Sequence, residues 1–132
     1  MAGSSLADDL PNNVTEFLRE FRRLLQYQVD ACSWIGRTGR FEELEALGLT
    51  FNEAERIIKE ELCDEHCHRG PEPDDHFPEA GIVFIFRCPI SDSTDAYVKI
   101  GLRLTKAKNN NLRGVIWSFK KWSDSTPRGT QQ

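Results

Sequence analysis

The chain has 132 residues, of which 39% are hydrophobic and 29% are charged, and its formal net charge is -4. This composition is typical of one globular domain that folds around its own core. No apolar run approaches the roughly 20 residues of a membrane helix, which argues against a membrane protein. The acidic total argues against a uniformly basic nucleic-acid binder.

The chain starts with MAGSSLADDLPNN, which lacks the basic and apolar segments of a secretory signal. We therefore expect a cytoplasmic protein whose four cysteines stay reduced. We expect a single domain at 13–122, with flexible tails at 1–12 and 123–132.

A helix and a short strand are predicted first. Asn13 and Glu16 have the spacing of a capping box at the start of a helix. Apolar residues then recur at helical spacing, which predicts an amphipathic helix over 14–31. Residues 32–37 are a candidate short strand, because glycines punctuate the segment that contains them.

Two more helices are predicted, followed by an irregular segment. RFEELEALGL is expected to be a short helix, because its apolar residues share one side and a glycine ends it. Thr50 and Glu53 form a second capping box, which opens a helix that we expect to reach about Cys63. Glycine and prolines interrupt residues 63–81, so we expect no regular structure there beyond the first few residues.

Three strands are predicted at 81–89, 95–104 and 112–121 from their apolar and alternating patterns. Their connections are short enough for antiparallel hairpins. Helices followed by strands predict an α+β fold, in which the N-terminal helices pack on a three- to four-stranded antiparallel sheet.

The charge is distributed unevenly along the chain. Residues 1–80 contain 8 Lys or Arg and 18 Asp or Glu, a balance of -10, whereas residues 81–132 contain 9 and 3, a balance of +6. A polyanion responds to the local field, which extends only about 10 Å in salt. The predicted strands therefore form a basic region within an acidic chain.

Strand periodicity gathers part of this charge on one face, because side chains alternate between the two faces of a sheet. The face opposite to the helices can display Arg87, Tyr97, Lys99, Ser118 and Lys120. The same alternation predicts that the other face of the last strand carries Val115, Trp117 and Phe119. Cations contact phosphates and aromatic rings stack on bases, so this surface suits single-stranded RNA or DNA. A merely solvated face is the alternative.

A second group of residues contains zinc-ligand types: Cys63, His66, Cys67, His68 and His76. It lacks the second cysteine pair of a zinc finger, and half-buried cysteines at a helix end are the simpler interpretation. A Cys–His nucleophile has equally little support, since sequence neighbours in a helix point apart. No Walker loop, Rossmann fingerprint or nucleophile elbow is present. We expect no metal and no cofactor.

The chain resembles the MqsR-type toxins of bacterial toxin–antitoxin systems in the segments LEALGLTFNEAERII, RGPEPDDHFPEAGIVFIF, AYVKIGL and RGVIWSFKKW. The resemblance covers about residues 41–122. It implies a compact RelE-like ribonuclease fold. It also implies a toxin endoribonuclease, or mRNA interferase, that cleaves single-stranded mRNA and is neutralised by a cognate antitoxin.

The resemblance implies site residues as well, through the family's Y-[IVL]-K strand, its S-F-K end strand, the basic position closing its first sheet strand and the loop before its G-P-x-x-D element. The expected catalytic residues are Tyr97, Lys99, Lys120, Arg87 and His68. The expected RNA contacts are Arg69, Arg103, Ser118 and Lys121.

The implied chemistry is metal-independent attack of a ribose 2′-hydroxyl on the adjacent phosphate. It needs a base, an acid and cations that balance the charge growing on the phosphorus. The sequence leaves the general base open. The alternative function is a non-catalytic module that binds RNA or a protein through the same basic face.

Overall fold

A computed structural model describes residues 10–27, 31–104 and 112–123. Its elements in chain order are α1 (Val14–Tyr27), β1 (Cys32–Trp34), α2 (Arg37–Ala46), α3 (Phe51–Glu60), β2 (Cys67–Pro73), β3 (Gly81–Ser91), β4 (Thr94–Leu104) and β5 (Leu112–Lys121). This architecture confirms the predicted α+β class. The predicted tails lie mostly outside the described residues, but Leu10 is buried in the core.

Helices α1 and α3 begin at the predicted capping residues. The Glu16 N–H donates to Asn13 Oδ1 at 2.9 Å, and Thr50 and Glu53 make both bonds of a capping box. The predicted end of the third helix at Cys63 is wrong. Helix α3 stops at Glu60, and Cys63 is already extended before a short 3₁₀ turn at Asp64–His66.

The sheet has five strands in the order β1-β5-β4-β3-β2. Strand β1 runs parallel to β5, whereas the other neighbours are antiparallel. The prediction of three or four antiparallel strands is therefore one strand short, and it missed the parallel pair of β1 and β5. The three strands predicted at 81–89, 95–104 and 112–121 are confirmed to within two residues.

Strand β2 corrects the prediction that residues 63–81 are irregular beyond their first few residues. Its prolines are tolerated because β2 lies at the edge of the sheet, where fewer backbone N–H groups are needed for pairing. Its register with β3 shifts twice, around Arg69. Gly70 has a φ of 133°, and a Cβ there would lie 2.8 Å from the Phe84 ring, so only glycine fits.

The main core lies between the sheet and the helices. Phe17 of α1 packs on Phe84 with a ring-centroid distance of 4.5 Å. Helix α3 contributes Ile58, and the middle strand contributes Ile100, each with no exposed surface. The face of the sheet that points away from this main core is called the outer face.

A register shift in β5 changes which side chains reach the outer face. Lys99 pairs with Ser118, but Ile100 pairs with Ile116, so Trp117 is an extra residue between two paired positions. The prediction that Val115 and Trp117 share the face of Phe119 is wrong. Phe119 lies in the main core, whereas Val115 and Trp117 pack with Val83 in a second, smaller cluster.

All four cysteines are free thiols. Burial raises the pKa of Cys32 and Cys88 to about 11, so both stay protonated at neutral pH. Within the described ranges, no helix has the length and hydropathy of a membrane span.

Candidate nucleic-acid interface

Strand register brings the predicted cations and the tyrosine together. Arg87 of β3 pairs with Tyr97 of β4, and Tyr97 pairs with Lys120 of β5. Directly opposed residues in an antiparallel sheet lie side by side on one face. The next row on this face contains Lys99, which pairs with Ser118.

Trp122, just beyond β5, is the centre of this arrangement. Its backbone N–H donates to the Asp95 carbonyl at 2.8 Å, which fixes the ring against the sheet end. The ring centroid lies 4.9 Å from His68 and 5.8 Å from Tyr97, and the Arg87 guanidinium lies 4.8 Å from it.

Lys120 completes the group, with Nζ 5.2 Å from the Tyr97 ring centroid. In the part of the chain that the structure describes, no carboxylate lies within ion-pair distance of this ammonium group. We call His68, Arg87, Tyr97, Lys120 and Trp122 the aromatic–basic cluster. It combines exposed positive charge with aromatic surface.

The Tyr97 phenol is a proton donor rather than a base at neutral pH. Burial raises its pKa, the nearby Arg69 guanidinium opposes this effect and the Glu72 carboxylate adds to it. The net pKa is above the ordinary value of 10.0. The hydroxyl therefore keeps its proton and can give it to a developing anion.

Three cations of the outer face are paired with carboxylates at the surface. Arg87 Nε lies 2.8 Å from Asp95, Lys99 Nζ lies 3.5 Å from Asp75, and Arg69 Nε lies 2.5 Å from Glu72. Ion pairs of this kind contribute only about 0–1 kcal/mol. A phosphate can therefore replace the carboxylate, but the free protein is less positive here than its sequence charge suggests.

Arg103 differs, because its partner is fully buried. Arg103 Nε and a terminal nitrogen donate to Asp74 at 2.6 and 3.3 Å, and Asp74 has 0% of its surface exposed. The same carboxylate accepts the backbone N–H groups of His76 and Phe77 at 2.8 and 3.0 Å. These bonds favour a structural role for Arg103 over the predicted RNA contact.

The segment from Asp74 to Ala80, here called the β2–β3 loop, is thereby held over the outer face. Its Asp75 pairs with Lys99, and its His76 ring lies 5.0 Å from Trp117, edge to face. Lys99 Nζ is also 5.0 Å from the Trp117 ring. The loop thus covers the predicted catalytic Lys99, while Lys120 is left open.

Two predicted RNA contacts lie away from the cluster. Ser118 is 9% exposed and donates weakly to Glu43 of α2 at 3.5 Å. Lys121 points to the opposite side of β5, where it lines a cleft with Arg56 and Glu61. Only Arg69, beside Tyr97, stays near the cluster.

The zinc interpretation gains no support. Cys63 Sγ lies 3.6 Å from the nearest His66 ring nitrogen, a distance that fits a hydrogen bond and equally fits two ligands of one tetrahedral zinc ion. Among the residues that the structure describes, no three His, Cys, Asp or Glu side chains are grouped to hold a metal ion.

Three contributors were missing from the predicted site: Trp122, Asp75 and His76. Trp122 could have been predicted from the alternation of strand side chains, because it follows Lys120 by two positions and so lies on the same face. The other two lie on a loop whose path depends on the Asp74–Arg103 pair. Local sequence pattern does not encode that contact.

The chain matches no protein-family model, and comparisons with curated proteins and with solved structures find no significant match. The resemblance to MqsR-type toxins stays a prediction. The geometry of the aromatic–basic cluster carries the interpretation.

Proposed function

We propose that the protein is an endoribonuclease of the toxin type, with a RelE-like fold, that cleaves single-stranded mRNA at the aromatic–basic cluster. The observation that carries the proposal is the convergence of Tyr97, Arg87 and His68 around Trp122, with Lys120 beside the Tyr97 ring. This group contains a protonated phenol, an open ammonium group, a guanidinium and an imidazole. Those are the parts that metal-independent RNA cleavage needs.

RNA binding uses two kinds of contact at this cluster. The Lys120 ammonium, which no carboxylate of the described chain neutralises, attracts the scissile phosphate, and Arg87 exchanges Asp95 for a phosphate oxygen. The rings of Trp122 and Tyr97 offer apolar surface to unpaired bases. A duplex would keep its bases stacked inside, so the cluster favours single strands.

In the proposed reaction, these groups divide the steps of cleavage among them. The ribose 2′-oxygen attacks phosphorus, and its proton passes to the His68 imidazole, which acts as the general base. The bond from phosphorus to the 5′-oxygen breaks, and Tyr97 donates its proton to that oxygen. Lys120 and Arg87 balance the negative charge on the phosphorane. The products are a 2′,3′-cyclic phosphate and a 5′-hydroxyl.

A second candidate function is a module that binds RNA or protein without cleaving it. The pairing of Lys99 with Asp75 and of Arg87 with Asp95 favours it, because part of the expected catalytic set is engaged in the free protein. In that case the cluster binds a ligand and performs no proton transfer.

The test is incubation of the purified protein with a long mRNA in EDTA, followed by primer extension and analysis of the product ends. We expect cleavage without added metal, and products that end in a cyclic phosphate or the 3′-phosphate derived from it. Lys120→Ala and Tyr97→Phe should each lower the rate more than about tenfold. Lys121→Ala is the matched control, since this neighbouring lysine faces away.

If the protein binds RNA but leaves it intact, the endoribonuclease proposal is wrong and the binding module takes its place. Activity that disappears in EDTA and returns with magnesium would contradict the proposed chemistry. The toxin assignment has its own test, because it implies a neutralising antitoxin. Co-expression with the product of an adjacent gene should relieve growth arrest, and the two proteins should co-elute on gel filtration.

A further inference from the structure

An apolar groove of about 320 Å³ lies between α2 and α3, away from the residues of the aromatic–basic cluster. Its walls are Phe41, Leu44, Leu49 and Phe51, and Glu45 stands at its edge. Phe41 has 55% of its surface exposed, although it is a large apolar side chain. Exposed apolar surface that is rimmed by polar groups is typical of protein interaction sites. We call this feature the α2–α3 groove.

The groove has a preformed aromatic wall. The Phe41 ring stacks on Phe51 at a centroid distance of 6.5 Å, and Phe51 meets Trp34 edge-on at 4.7 Å. The Trp34 indole N–H donates to Glu55 at 2.8 Å, which anchors the far end of the row. A ligand that enters the groove therefore meets surfaces already held in place, which lowers the entropic cost of binding.

The charged side chain that lines the groove is Glu45, and it belongs to an acidic stretch of the chain. Residues 41–55 contain five glutamates and no lysine or arginine. Glu43 pairs with Arg40 at 2.6 Å. Glu53 accepts the Thr50 N–H and Glu55 accepts the Trp34 indole N–H. Within the described residues, the exposed Glu42 and Glu45 form no ion pair. Uncompensated carboxylates around an apolar surface disfavour an acidic ligand and attract a basic one.

We propose that the α2–α3 groove docks a protein segment that carries a bulky apolar side chain flanked by lysine or arginine. The apolar side chain packs between Phe41 and Leu49. The flanking cations lie against Glu42 and Glu45, which speeds encounter and rejects acidic sequences. This surface does not depend on RNA cleavage, and the groove shares no residue with the aromatic–basic cluster.

Comparison with the outer face supports this choice of surface and of partner charge. On the outer face the protein's own carboxylates already pair with Arg87, Lys99 and Arg103, so an acidic partner would have to displace them. Glu45 at the groove and its neighbour Glu42 need no such exchange. The stronger uncompensated field therefore lies on the helices, and it selects a basic partner.

The experiment screens a display library of random peptides against the folded full-length protein. The selected peptides should be enriched in a bulky apolar residue next to lysine or arginine. Their affinity should fall by about tenfold or more for Phe41→Ser and for Glu45→Lys, as for central interface residues elsewhere. Both changes are at exposed positions, and unchanged thermal unfolding verifies that the variants fold.

Two matched controls complete the design. Tyr27→Ser removes another exposed aromatic ring, 73% exposed at the end of α1, and Glu65→Lys reverses an exposed charge outside the groove. Neither should change peptide affinity. The proposal is overturned if no peptide is enriched, if the enriched peptides are acidic, or if they bind Phe41→Ser and Glu45→Lys as tightly as the parent protein.

Discussion

Replacing Asp74 with asparagine is expected to lower the free energy of unfolding by about 3 kcal/mol, at the lower end of the cost of breaking a buried ion pair. The amide oxygen can still accept the N–H groups of His76 and Phe77, so the loop keeps part of its anchorage. The loss comes from Arg103, which is 17% exposed in its side chain and would have no carboxylate partner. Its contact with the Phe77 ring at 4.5 Å limits the loss.

The pH dependence provides a second measure of the same pair. Burial alone would raise the pKa of Asp74, but the hydrogen bonds from Arg103, His76 and Phe77 outweigh it, so the pKa lies below the ordinary 3.8. Because the pKa of Asp74 is lower in the folded state than in the unfolded state, its contribution to stability is fully present above the unfolded-state pKa. That stability is lost as the pH falls through the folded pKa. The Asp74→Asn variant should therefore not show this part of the loss of stability at acid pH.

Urea unfolding followed by tryptophan fluorescence, at neutral pH and below about pH 4, measures both effects. The double variant Asp74→Asn/Arg103→Met should lose less than the sum of the single variants, because it leaves no buried charge alone. A loss below about 1 kcal/mol at neutral pH, or the same acid dependence as the parent, would refute the structural role of the pair.

Three further changes test the packing and the charge of the sheet. Ile100→Ala should cost roughly 2–5 kcal/mol in urea unfolding, since Ile100 is fully buried; a cost near zero would mean that the register of β4 is wrong. Gly101→Ala should cost about 1–3 kcal/mol by the same assay, because a Cβ would lie 2.6 Å from the Ile82 carbonyl oxygen; unchanged stability would contradict this close approach. Asp75→Asn should tighten binding of a non-cleavable deoxyoligonucleotide in fluorescence anisotropy, since it releases Lys99; weaker binding would contradict the screening role of Asp75.

Local signals were sufficient for the starts of α1 and α3 and for the three long strands. The capping box of Thr50 and Glu53 marks the start of α3 with both of its hydrogen bonds. An apolar run marks β3, and alternation marks β4. These elements could be predicted because the residues that determine them are neighbours in sequence.

Features that depend on distant contacts could not be predicted. Strand β2 contains Gly70 and prolines that usually end a strand, and only its edge position next to β3 makes it possible. The candidate strand near residue 32 could be predicted, but its parallel pairing with β5 could not. The extra residue at Trp117 reversed the predicted face of Val115, since a bulge is set by the pairing with β4 rather than by alternation.

In the candidate site, too, contacts set by strand alternation could be predicted and contacts set by the path of a loop could not. Tyr97 and Lys120 were placed on one face by periodicity, and they are directly paired. The pairing of Lys99 with Asp75 arises from the path of the β2–β3 loop, which the buried Asp74 fixes. Sequence charge alone therefore overstated the positive field of the outer face.

Cleavage of a single-stranded RNA in which one ribose, at the mapped cut, is replaced by 2′-deoxyribose tests the proposed chemistry most directly. Removing the attacking hydroxyl should abolish cleavage at that position in EDTA, while binding measured by anisotropy stays within about twofold, because the phosphate contacts remain. The all-ribose strand should be cut there by the parent protein and by Lys121→Ala, and much more slowly by Lys120→Ala. Cleavage that persists at the deoxy position, or an all-ribose strand that is never cut, would contradict RNA cleavage by 2′-hydroxyl attack at the aromatic–basic cluster.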